Sequence, residues 1–125
     1  IKKYYSLMNN IFLCYNKCST CKKAYKKLND MDIEVKYRDL VTEKLEKKEI
    51  EEIINISKQD INTFFNKSGL VYKALKLKDK LFDLTFDEKL TLLASDGKLI
   101  KRPILVLNNE VYVGYKEEIY NKLGE

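Results

Sequence analysis

Between Ile11 and Leu28 the hydrophobic pattern changes period within a few residues, and this change constrains the fold more than any other stretch. Ile11, Phe12 and Leu13 form a short continuous apolar run, as a buried strand would. From Cys21 onward, Cys21, Ala24, Tyr25 and Leu28 recur at helical spacing, and Lys22, Lys23, Lys26 and Lys27 take the opposite, wet face. The junction puts Cys18 at the mouth of the helix, where unpaired backbone N–H groups and the positive end of the helix dipole favour a thiolate over a thiol. Lys17 and Lys22 act in the same sense. Cys21, three residues on, turns toward the core. A Cys-x-x-Cys at the start of a helix that follows a strand reads as an attacking thiol, Cys18, backed by a shielded resolving thiol, Cys21.

Cys14 extends the pattern to Cys-x-x-x-Cys-x-x-Cys, a spacing that also holds iron–sulfur clusters in radical enzymes. Those enzymes resemble large barrels, which 125 residues cannot build. A zinc site would need four ligands, and the chain has no histidine and no second cysteine pair. Cys14 is therefore expected at the end of the first strand, where burial raises the pKa of a thiol and keeps it reduced. Oxidation is expected to join Cys18 to Cys21.

One domain of this length can bury a core without disulfide staples. Lysine and arginine exceed the acids by 24 to 19, but the charges are scattered along helix faces, with no basic run interleaved with aromatics. Direct nucleic-acid binding is not expected. Few, clustered cysteines suit a reducing cytoplasm. No stretch approaches the roughly 18 apolar residues of a membrane span. Asn9 and Asn10 interrupt the opening apolar residues, so no signal peptide is expected. Met8 would also serve as a natural start, which would leave Ile1–Leu7 outside the native domain.

After the first helix, Ile33, Val35 and Tyr37 alternate with charged residues as a half-exposed strand, completing a βαβ unit. Residues 40–100 then read as helical. Ile50, Ile53 and Ile54 share one face, and Ile61, Phe64 and Phe65 another. Gly69 closes a turn where a positive φ is expected, Tyr72, Leu75 and Leu77 mark a short helix, and Lys78 to Leu84 form a link. Thr85 with Glu88 forms a capping box for a helix that Gly97 can end.

Pro103, the only proline, precedes Ile104–Leu107, a position that a strand tolerates. Asn108 and Asn109 supply a tight hairpin, Val111, Val113 and Tyr115 return, and Gly114 allows a bulge or close approach. A closing helix over 116–123 should face Ile119 and Leu123 inward. The order βαβ, helices, ββα is that of a thioredoxin-like α/β fold, with thioredoxin-type parts at about 8–40 and 100–125 and a helical subdomain over about 41–99.

From Met8 onward the chain resembles the ArsC/Spx family of glutaredoxin-like proteins. The resemblance rests on Cys18-Ser19-Thr20-Cys21-Lys22-Lys23-Ala24, Phe64-Phe65-Asn66-Lys67-Ser68-Gly69, Lys78-Asp79-Lys80-Leu81, Ala94-Ser95-Asp96-Gly97, Lys101-Arg102-Pro103-Ile104 and Val113-Gly114-Tyr115. It implies a four-stranded mixed sheet and a cis peptide before Pro103 that faces the reactive cysteine. Arsenate reductases of the family use one reactive cysteine, matched by Cys18, and several arginines that hold the oxyanion. Here only Arg38 and Arg102 are present. Arg102 matches the family arginine beside the proline, and the position in the helical segment is replaced around Asn66 and Lys67. The position near Tyr115 also lacks its arginine.

The resemblance thus implies a thiol–disulfide oxidoreductase with Cys18 and Cys21 as redox pair and Arg102, Pro103, Lys17 and Lys67 as the anion-binding set. It would carry no bound cofactor and would use glutathione as reductant, with small thiols, protein disulfides, glutaredoxin or thioredoxin as partners. The alternatives are a redox-sensing regulator of the Spx type that binds RNA polymerase, and a glutathione- and glutaredoxin-dependent arsenate reductase.

Overall fold

The computed structural model describes residues 9–124, so the expectations about Met8 and Ile1–Leu7 lie outside the described residues. Four strands, β1 (Ile11–Cys14), β2 (Lys36–Asp39), β3 (Ile104–Leu107) and β4 (Glu110–Val113), form one sheet in the order β2-β1-β3-β4. β2 runs parallel to β1, reached through helix α1 (Ser19–Asp30), while β3 and β4 are antiparallel to their neighbours. This is the mixed sheet of a thioredoxin-like fold.

All four residues of β1 and of β3 are buried, as central strands covered on both faces require. Strand parity divides their side chains between two cores. Ile11, Leu13, Ile104 and Val106 face the segment between β2 and β3, whereas Phe12, Cys14, Leu105 and Leu107 face α1 and the C-terminal end. The inserted segment supplies α2 (Lys47–Ser57), α3 (Leu70–Ala74), α4 (Leu77–Lys80) and α5 (Phe86–Ser95), linked by short 3-10 turns. Ile50, Ile53 and Ile54 of α2 are buried together, each worth about 1.5–3 kcal/mol in apolar burial before the entropy of ordering is subtracted. The Thr85–Glu88 capping box is formed at 2.8 and 3.1 Å. A second box joins Glu46 and Glu49 at the start of α2.

The insert is fastened to the sheet by backbone bonds on either side of an antiparallel bridge between Phe65 and Ile100: Asn66 N–H donates to the Leu99 carbonyl at 2.7 Å, and Lys101 N–H to that of Phe64 at 2.8 Å. Gly97 packs against the chain leaving β2. A Cβ there would lie 2.0 Å from the Leu40 carbonyl oxygen, so close approach of two backbones demands glycine. Its role is therefore not to end α5, which stops at Ser95 with Asp96 extended.

Three further expectations shift. β2 begins at Lys36, because the Ile33 amide still closes the end of α1 by donating to the Leu28 carbonyl at 2.9 Å. Gly69 has a φ of −78° and an extended ψ at the start of α3, so no left-handed backbone is needed there, and a Cβ would meet the tip of the Asn66 side chain at 2.6 Å. The closing helix α6 (Glu117–Tyr120) spans four residues. Tyr120 takes the inward position, packed edge-on to Tyr115 at 4.7 Å, and Ile119 is exposed. Asn108 and Asn109 do adopt positive φ in the hairpin, as does Gly114 beyond it, whose N–H donates to the Pro103 carbonyl at 2.8 Å.

Candidate redox site

The loop Tyr15–Lys17 carries the chain from the end of β1 to the start of α1. Its course is set by Asp39, 6 % exposed at the end of β2, whose Oδ2 accepts from Asn16 N–H at 3.1 Å. Oδ1 accepts from Val41 and Thr42 N–H at 2.8 and 3.0 Å. Burial opposes ionisation of this carboxyl, but the backbone donors outweigh it and hold Asp39 below the usual carboxylate value. Nothing in the sequence marks Asp39 out, since it continues a strand whose other residues are exposed or half-buried.

Cys18 follows as the N-cap of α1, with extended dihedrals, its own N–H bonded to the Tyr15 carbonyl and its side chain half-buried. It begins the twelve-residue α1 without bonding its side chain to the first-turn amides. Cys21, one turn further, is 2 % exposed. Its sulfur accepts from Tyr15 N–H at 3.4 Å and packs in one cluster with Cys14, with Cys18 against it. All three cysteines are free thiols.

Cys14 departs from the expectation placed on it. It is fully buried at the end of β1, yet the Cys21 thiol donating to its sulfur lowers its pKa, against the burial that raises it, and the Tyr37 hydroxyl donates as well. The Cys14 hydrogen bond and burial push Cys21 far upward. Among the described residues, no group of three or more His, Cys, Asp and Glu side chains is arranged to hold a metal ion.

Cys18 opens into a cavity of about 600 Å³ between the sheet end and the insert, walled by Tyr15, Thr20, Asn66, Ser68, Leu70, Lys98, Lys101 and Arg102 among others. Three cations and no acid line it. Arg102, preceding the cis peptide to Pro103, lies over the Tyr15 ring at 5.1 Å. Its Nε and Nη1 are buried and have no hydrogen-bond partner among the described residues. Arg102 also lines the cavity, so its positive charge favours an anion there.

Of the expected anion set, Arg102 is brought to Cys18. Lys17 is exposed and is not among the cavity walls, and Lys67 lines a different depression with Tyr72, Lys73 and Lys78. Lys98 and Lys101 occupy the cavity instead. Their place follows from the bend of the chain between α5 and β3, which residue spacing does not show. Arg38, the chain's other arginine, is committed elsewhere, forked onto Glu49 at 2.9 and 3.1 Å and onto the carbonyls of Glu43 and Lys44.

The model of the ArsC family matches residues 13–123. The chain belongs to the ArsC family. It is 40 % identical to YusI of Bacillus subtilis over 115 residues, 92 % of this chain and 98 % of that one. It is 31 % identical to the regulatory protein MgsR of the same organism, over 91 % of this chain and 89 % of MgsR. An ArsC-family-related protein of Bacteroides fragilis has the same fold at a TM-score of 0.85 and 42 % identity, covering 95 % of this chain and 99 % of the other. No described helix of this ArsC-family chain is long and apolar enough to cross a membrane.

Proposed function

We propose that the protein is a thiol–disulfide oxidoreductase in which Cys18 attacks and Cys21 resolves. The observation that carries this reading is the placement of Cys18, half-exposed at the mouth of α1 and open to a cationic cavity, with the buried Cys21 one helical turn behind it. The Cys18 thiolate attacks one sulfur of a client disulfide and expels one client thiolate. Cys21 then attacks the Cys18 sulfur, and the second client thiol leaves as the Cys18–Cys21 bond forms. Two electrons pass to the client, and glutathione, glutaredoxin or thioredoxin in a reducing cytoplasm restores the dithiol. The cavity's cations favour a client thiol that carries carboxylates, glutathione included.

Arsenate reduction is less well supported. Stabilisation by preorganised donors is a large share of oxyanion chemistry, and Arg102 is the single arginine that reaches the cavity. Lysines lack its planar fork. A regulatory role draws support from the likeness to MgsR, and the partner would then be RNA polymerase, as for Spx-type proteins.

Cys21→Ser decides between these readings. An oxidoreductase lacking its resolving thiol should accumulate a mixed disulfide on Cys18 with glutathione or a client protein, released by dithiothreitol. Absence of any adduct on Cys18, with RNA polymerase copurifying regardless of the covalent state, would overturn the enzyme reading.

A further inference from the structure

The thiols form a chain of three, and the pair mechanism uses two. Cys21 stands in the middle, buried in one packed cluster with Cys14 on the core side and Cys18 against it on the cavity side. The Tyr15 amide, covalently next to Cys14, also bonds the Cys21 sulfur at 3.4 Å, so the end of β1 and the first turn of α1 meet at this atom. A structural cysteine would be expected among hydrocarbon. Cys14 instead has the Tyr37 hydroxyl as a donor favouring its ionised form, and the Tyr37 ring meets those of Phe12 and Tyr25 at 6.2 and 5.0 Å. This donor remains when Cys21 is oxidised and can no longer donate. Asp39 and Cys18 are the other charged or titratable groups felt by Cys14, and both oppose its ionisation.

We propose that Cys14 is a second resolving thiol, which takes the disulfide from the Cys18–Cys21 pair into the core and frees Cys18. The inference rests on Cys18 and Cys21 forming the first link. The Cys14 sulfur attacks the Cys21 sulfur, the Cys18–Cys21 bond breaks, and a Cys14–Cys21 bond forms. Cys18 leaves with the electron pair and takes up the proton that Cys14 lost, through the water of the open cavity. There is no net oxidation, so no further reagent is needed. Cys14 is fully buried and has no route to an external disulfide, so the link reaches it only by exchange. The oxidised protein then stores two electron equivalents of oxidation out of reach of bulky reductants, with Cys18 again open to a ligand or a second client.

Lys17 makes the proposal readable. Trypsin cleaves after Lys3, Lys17 and Lys22, which puts Cys14 in the peptide 4–17 and both Cys18 and Cys21 in the peptide 18–22. The full chain is treated with one equivalent of glutathione disulfide, quenched with acid, alkylated and digested. Peptides 4–17 and 18–22 joined by a disulfide, with Cys18 alkylated, are expected at about a tenth or more of the oxidised protein, since a tenfold ratio corresponds to about 1.4 kcal/mol between the two links. The cross-link should vanish in Cys14→Ser while the internal link of 18–22 persists. If that variant fails to fold, the mapping of the unaltered chain still decides. Oxidised protein found only as the internal link, with Cys14 alkylated, overturns the inference and leaves the proposed function standing. Glutathione on Cys18 with no internal link of either kind overturns the inference and the resolving role of Cys21 together.

Discussion

Asp39→Asn should damage the site without touching a cysteine. The carboxylate accepts three backbone N–H groups, from Asn16, Val41 and Thr42. An asparagine can keep its oxygen toward Val41 and Thr42, but its NH₂ then meets the Asn16 N–H, donor against donor. Losing one bond to a charged acceptor costs about 1.5–3 kcal/mol, and weakening the other two from charged to neutral adds roughly 1 kcal/mol, so a loss of about 3 kcal/mol is expected. That is a large part of the stability of a domain this size but leaves it folded. The pH dependence carries a sign. The folded-state pKa lies below the unfolded value of about 3.9, so the stabilisation is complete above that value and is lost as pH falls through the folded one. Urea titrations of both proteins at neutral pH and near pH 3 should therefore show a wide gap that narrows in acid. Release of Asn16 should also slow Cys18 alkylation by iodoacetamide several-fold. Equal urea midpoints at neutral pH, or a gap that does not change with pH, would refute the assignment of Asp39 as the anchor of the loop.

Arg102→Ala should raise the KM for glutathione disulfide by roughly 10- to 100-fold, the equivalent of one bond to a charged group, while a neutral disulfide of similar size is affected little; parallel steady-state kinetics on the two substrates give the comparison. Arg38→Ala should cost about 2–3 kcal/mol in thermal unfolding at neutral pH, because the fork onto Glu49 and two carbonyls pins the chain between β2 and α2. Arg38 holds the Glu49 carboxyl below its usual value, so this difference should fade as pH falls through the carboxylate range, and a constant difference would count against it. Gly97→Ala should lose on the order of 3 kcal/mol or more, since its Cβ would press on the Leu40 carbonyl and neither backbone can yield; soluble yield and melting temperature report it. Arsenate, supplied with glutathione and a glutaredoxin, should turn over poorly, and efficient saturable reduction would contradict the reading of the cavity.

The strand–helix junction at Cys18, the hairpin at Asn108–Asn109, the Thr85 box and the face of Ile50, Ile53 and Ile54 were legible because each depends on neighbours within a few residues. Gly69 and Gly97 were misjudged for the opposite reason. Gly97 is glycine because the Leu40 backbone passes close by, and Gly69 lacks the positive φ its turn suggested; neither leaves a local trace. In α6, four residues are too few for a period to fix the phase, and the bulk of Tyr120 decided it. Motif and chemistry point to Cys18, Cys21 and Arg102 as candidates, and Cys18 and Arg102 both line the cavity. Lys98, Lys101 and Asp39 could not, because tertiary folding alone brings them to the loop. Cys14 was placed correctly at a strand end, but its pKa was misread. The expectation weighed burial alone, whereas Cys21 and Tyr37 both supply hydrogen-bond donors.

The division of side chains by strand parity has a consequence for how such a chain can change. The thiols hang from the face shared by α1 and α6, while the insert packs against the other and lends to the cavity only its rim, including Asn66, Ser68 and Leu70. Leu70 stands 85 % exposed there. Under the proposed function, substitutions along that rim would exchange one clientele for another while leaving the thiols behind the sheet unaltered.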